Sequence, residues 1–104
     1  MRPFHLAFPV DDLEKTRYFY TKTLGCNEGR SSDRWIDFDM YGHQVVAHLI
    51  DKVDEVQTNP VDGDDVPASH FGVILEMHQW NELSERLKEL GTKFIIEPHI
   101  RFKG

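Results

Sequence analysis

No apolar run in this sequence approaches the roughly 20 residues that a helix needs to span a bilayer, and the N-terminus lacks the apolar core of a signal peptide. Cysteine is nearly missing as well. Cys26 stands alone, so no intrachain disulfide can form, and the expected compartment is a reducing cytoplasm. With no strong base beside it in sequence, Cys26 reads as a small buried apolar residue rather than a nucleophile. Positive charge is also scarce. Lys and Arg number 12 against 18 Asp and Glu, the net charge is −6, and no basic stripe is present, so nucleic acid is excluded as an expected partner. A membrane partner is likewise not expected.

The acidic excess is local. Asp51, Asp54, Glu55, Asp62, Asp64 and Asp65 face only Lys52 in the stretch 51–68, while the rest of the chain is nearly neutral. That stretch carries Asn59-Pro60 and Asp62-Gly63, both turn signals, and reads as a solvated linker. It lacks the ligand order and the terminal Glu of an EF-hand, so calcium is not expected there.

What is present is a repeat. The 104 residues, 39% of them hydrophobic, suit a single domain. "FHLAFPV" at 4–10 alternates Phe4, Leu6, Phe8 and Val10 with His5, Ala7 and Pro9, as a strand with one packed face does. A helix should follow, with Asp11 as N-cap and Glu14 completing a capping box. Leu13, Tyr20 and Leu24 form its packed side, helped by Phe19, and Gly25 ends it. Three strands are then expected over 27–31, 34–40 and 44–50, with Tyr41-Gly42 as a turn. "SHFGVIL" at 69–75 opens a second copy: another apolar strand, then a helix carrying Trp80, Leu83, Leu87 and Leu90 at helical spacing, stopped by Gly91. The His-to-Gly separation is 20 residues in one copy and 21 in the other. Such self-similarity indicates a duplicated strand–helix unit. The second copy continues into one more strand, "KFIIEPHI", and a copy of equal make-up would carry two further strands beyond Gly104. The expected organisation is one domain over 1–104: module one at about 1–50, the acidic linker at 51–68 and a partial module two at 69–104.

His5 and His70 hold matching places in the two copies, each with a small residue two positions on, Ala7 or Gly72, that leaves room for a pocket. His48 sits late in the last strand of module one. Neutral imidazole is the commonest protein ligand for divalent transition metals, and strands of one curved sheet can aim several at a point. A lone strand histidine is usually a hydrogen-bonded core or edge residue; the matched pair is what favours ligation. His43, His78 and His99 make weaker cases, being at a turn, at a helix start and beside Pro98.

The openings "FHLAFPVDDLEKTRYFYTKTLGC" and "SHFGVILEMHQWNELSERLKELG" resemble those of the two modules of the vicinal oxygen chelate superfamily, which includes glyoxalase I, bleomycin and fosfomycin resistance proteins and extradiol dioxygenases. The resemblance implies an α+β fold of two βαβββ-type modules, the second truncated, in a curved mixed sheet around a cavity. It implies one divalent transition metal held by His5, His70 and His48. Fe(II) is favoured, because a His at position 48 leans toward a ring-cleavage dioxygenase, which leaves that position uncoordinated, rather than a glyoxalase, which places a carboxylate there. Zn(II), Ni(II) or Mn(II) would suit a glyoxalase-type lyase or isomerase. The family's Glu ligand on the last strand of module two would fall beyond Gly104. Trp35 and Arg101 are the candidate substrate-binding residues, and His99 the candidate acid or base. The substrate would be a small molecule chelating through adjacent oxygens, and a homodimer is expected, both from the family and from the open sheet edge of a partial module. Two other readings remain open: a non-catalytic drug-binding protein, and a ferredoxin-like regulatory domain without metal.

Overall fold

The computed structural model describes residues 2–53 and 57–99. The chain divides into two compact units, Met1–Asp54 and Glu55–Gly104.

In the first unit the expected order of elements forms. Strand β1 (His5–Val10) leads into helix α1 (Leu13–Tyr18), which continues as a π-helical turn (Phe19–Thr23); strands β2 (Asn27–Ser31), β3 (Trp35–Met40) and β4 (His43–Leu49) follow. The four strands make one mixed sheet in the order β1-β4-β3-β2, with β1 parallel to β4 and the other neighbours antiparallel. The N-cap of α1 is Asp12, one residue later than the sequence pattern suggests: its carboxylate Oδ1 accepts from Lys15 N at 3.0 Å. Arg17 ties the helix to β2 by donating to Glu28 at 2.9 Å and also pairs with Glu14. Tyr41 and Gly42 both have positive φ, 53° and 88°, the two-residue turn whose twist matches that of its flanking strands.

The core lies between the helix and one face of the sheet. Ile36, Phe38, Val45, Ala47 and Cys26 are buried, with Leu6, Phe8, Val10, Leu13, Tyr20, Leu24 and Met40 packed against them. Tyr20 stacks on Phe38 with ring centroids 4.9 Å apart and tilts against Phe8 at 5.6 Å. Ile36 and Phe38 are wholly enclosed, each stabilising the fold by about 1.5–3 kcal/mol. Phe4 lies outside this core and is exposed.

The second unit departs from expectation. Part of the segment read as a solvated linker is a β-hairpin, β5 (Thr58–Val61) paired antiparallel with β6 (Asp64–Pro67), turning at Asp62 and Gly63 with φ of 50° and 84°. Asn59, Pro60, Asp64 and Asp65 are poor strand formers, which hid it. Pro60 is tolerated because both strands of a lone hairpin are edges. Helix α2 (Met77–Glu89) forms where its apolar spacing placed it; Gln79 Oε1 accepts from Glu76 N at its start, and Gly91 follows its end with φ of 71°. The strands expected at 69–75 and from Lys93 on are not formed within the described residues. An extended segment becomes a strand only where it pairs with a neighbouring strand, and among the described residues 70–76 join neither sheet.

Candidate metal and substrate site

The face of the first unit's sheet opposite the core carries the chemistry. Residues in register on neighbouring strands share a face, so three rows can be read across the sheet. His5, Gln44, Asp39 and Asn27 form one row; Ala7, Val46 and Asp37 form the next; Pro9, His48 and Trp35 form the third. His5 and His48 are thus both exposed on the same face. They are not side by side. Four residues of strand separate their rows, roughly 13 Å at the usual rise. One ion shared by both would need each imidazole to lean toward Ala7 and Val46. Trp35, half-buried, stands next to His48.

Sequence reasoning missed Asp37, Asp39 and Gln44 on this face. Gln44 Nε2 donates to Asp37 Oδ2 at 3.3 Å, beside His5, and Asp39 Oδ1 accepts from Gly42 N at 2.7 Å. The signal was present in "WIDFDM", whose carboxylates alternate with the core residues Ile36 and Phe38. His43 serves the fold instead: its Nδ1 accepts from Phe4 N at 2.8 Å. Cys26 is buried, and burial pushes its thiol pKa upward, as befits an inert core residue.

In the second unit His70 is exposed and lies in a loop rather than a strand. Its Nδ1 is 2.8 Å from the carbonyl oxygen of Pro67. A carbonyl can only accept, so Nδ1 carries the hydrogen and the uncharged ring presents Nε2 as a bare lone pair. His99 repeats the arrangement, with Nδ1 2.8 Å from the carbonyl oxygen of Glu97 and Nε2 3.9 Å from Asp64 Oδ2. Both histidines line one cleft of about 410 Å³ together with Trp80. His78 is exposed, with Nδ1 3.5 Å from Glu76 Oε2. Arg101 lies outside the described residues. Among the described residues, no three His, Cys, Asp or Glu side chains gather closely enough to hold a metal ion. None of the helices described is long and apolar enough to cross a membrane.

The first unit is a βαβββ module of α+β class, with its helix on one face of the mixed sheet and imidazoles on the other. The sequence profile of the Glyoxalase/Bleomycin resistance protein/Dioxygenase superfamily matches residues 2–104, and the chain belongs to that family. Among solved structures, a glyoxalase/bleomycin resistance protein/dioxygenase from Alicyclobacillus acidocaldarius is 34% identical, with a TM-score of 0.80 over 98% of this chain and 73% of that one. The fosfomycin resistance protein FosX from Listeria monocytogenes shares the fold at 23% identity, with a TM-score of 0.66 over 86% of this chain and 65% of its own. FosX has also been solved in complex with Mn(II) and sulfate, a structure to which this chain is 24% identical with a TM-score of 0.62, over 84% of this chain and 62% of that one. No curated protein sequence matches.

Proposed function

We propose that the chain is a metal-dependent enzyme of this superfamily, acting on a small substrate that chelates one divalent ion through two adjacent oxygens. The observation that carries the reading is the ring of His70. Its Nδ1–H is engaged by the Pro67 carbonyl, the outer hydrogen bond that metal-ligating imidazoles characteristically keep. His5, exposed beside the small Ala7, would be its counterpart, with His48 as the third imidazole. Imidazole donors suit Fe(II), Zn(II), Ni(II) and Mn(II) alike, and the Mn(II) complex of FosX gives a precedent within the fold. When bound, such an ion acts as a Lewis acid on the negative charge developing on the substrate oxygens. The chain's own groups would do the rest: Trp35 covers the substrate beside His48, Arg101 pairs with an anionic group, and His99, fixed through Nδ1, offers Nε2 as the acceptor of a substrate proton. Our preferred chemistry is extradiol ring cleavage with Fe(II), and a glyoxalase-type lyase is its alternative.

One experiment separates these readings. Chelator-treated protein is melted with and without Fe(II), Zn(II), Ni(II) or Mn(II). An ion bound only by the folded state adds about 2.7 kcal/mol at a hundredfold excess over its dissociation constant, and His5→Ala or His70→Ala should remove that gain. Oxygen uptake with a catechol then identifies a dioxygenase, and anaerobic turnover of a hemithioacetal a lyase. No stabilisation by any ion would overturn the metal reading. It would favour the second one, sequestration of a small molecule without chemistry. The same protein should sediment as a homodimer, since β1 and β2 are the edges of its four-stranded sheet.

A further inference from the structure

The cleft in the second unit has a chemistry of its own. It is bounded by the β5–β6 hairpin, α2 and the segment leading to His99, and its volume of about 410 Å³ falls within the range of small-molecule pockets. Val61, Val66 and Ile96 make its walls apolar, and Trp80 adds an aromatic surface. Apart from the indole N–H of Trp80, its polar side chains among the described residues are of one kind. Glu97 brings a carboxylate, and His70 and His99, each with Nδ1–H already given to a backbone carbonyl, keep only Nε2 lone pairs when uncharged. Asp64 Oδ2 stands 3.9 Å from His99 Nε2, so a second carboxylate lies beside that ring. Among the described residues no Lys or Arg lines the cleft. At these groups an anion would meet acceptors and negative charge. A ligand with N–H donors and positive charge would meet acceptors and an indole surface, to which cations are also attracted.

We infer that this cleft binds a small organic cation carrying N–H donors, an aromatic or alkyl ammonium, with its apolar body against Trp80 and its charged nitrogen toward His99 and Glu97. The inference concerns the metal-free chain and does not rest on a metal at His70, because His99, Glu97 and Trp80 suffice to select charge and shape.

The test is a titration of the chelator-treated full chain with benzylammonium, benzyl alcohol and benzoate, compounds of similar size that differ in charge. Binding is read from the indole N–H resonance of Trp80, which Trp35→Phe assigns. Benzylammonium should shift that resonance and saturate at roughly millimolar concentration, the range open to so small a ligand. Benzyl alcohol and benzoate should bind at least about tenfold more weakly, which is one decade in the dissociation constant. Glu97→Gln and His99→Ala should each weaken benzylammonium severalfold. Equal or tighter binding of benzoate, no saturable shift with benzylammonium, or an unchanged affinity in Glu97→Gln would overturn the inference. The comparison of the three compounds on the unmodified chain stands even where a variant folds poorly, and a negative result leaves the metal-linked melting test untouched.

Discussion

The two faces of the first unit's sheet should respond oppositely to truncation. Phe38, 1% exposed, is enclosed between the sheet and Tyr20, whose ring stacks on it at 4.9 Å. Phe38→Ala removes the largest buried side chain of that face and leaves a cavity beneath the helix, at a cost of about 3–5 kcal/mol. A unit of some fifty residues has about 3–8 kcal/mol in all at 0.05–0.15 kcal/mol per residue, so this change takes most of it. His5 and His48, exposed on the opposite face, support no such packing. His5→Ala and His48→Ala should each stay within about 0.5 kcal/mol of the parent when no metal is present. The assay is urea unfolding of the Trp80→Phe protein in chelator, followed by the fluorescence of Trp35, which lies in the same sheet. The reasoning fails if either histidine variant loses as much as about 2 kcal/mol, a buried-side-chain penalty, or if Phe38→Ala loses less than about 1 kcal/mol. In the first case the imidazoles are part of the packing and not a reserved face.

Burial pushes the Tyr20 phenol up to about 12 from an ordinary value near 10, with the neighbouring Cys26 adding to the shift. Below pH 10 the folded and unfolded states hold the same proton. Between about pH 10 and 12 the folded state retains it longer, so stability should fall as pH rises through that window, and Tyr20→Phe should flatten the slope in alkaline denaturation curves. Cys26 should react with a thiol reagent only after unfolding, giving a rate that follows urea concentration through the transition; rapid labelling of native protein would contradict its burial. Gly42→Ala meets no neighbouring atom but must hold φ near 88°, so it should cost about 1 kcal/mol from backbone strain alone, read from the same unfolding curves. Removing the helix cap by Asp12→Ala should likewise cost about 1 kcal/mol, seen as a lower urea midpoint.

What the sequence revealed and what it hid divide along a physical line. The alternation in "FHLAFPV" set the facing of β1, because side-chain direction in an extended chain is a property of the chain itself, and Leu6, Phe8 and Val10 do turn inward while His5 and Ala7 do not. Tyr41-Gly42 marked its hairpin, since left-handed φ is written in residue type, and α2 lies where its leucine spacing placed it. Pairing is another matter. Residues 70–76 keep the alternation of burial, with Val73 and Leu75 half-buried and Ile74 fully exposed, but a ladder needs a partner that no local pattern specifies. The hairpin over 58–67 failed for the opposite reason: its turn was visible, while Asn59, Pro60 and two aspartates argued against strands that pairing nonetheless stabilised.

The site obeys the same division. That His5 and His48 share a face follows from parity within each strand; that they stand four residues apart, with Gln44 and not His48 next to His5, follows from the β1–β4 register, a choice made between segments almost forty residues apart. Donor types are therefore readable before their assembly is. In the second unit, the backbone carbonyls of Pro67 and Glu97, which no residue pattern reports, decide which nitrogen of His70 and of His99 is left to bind anything at all.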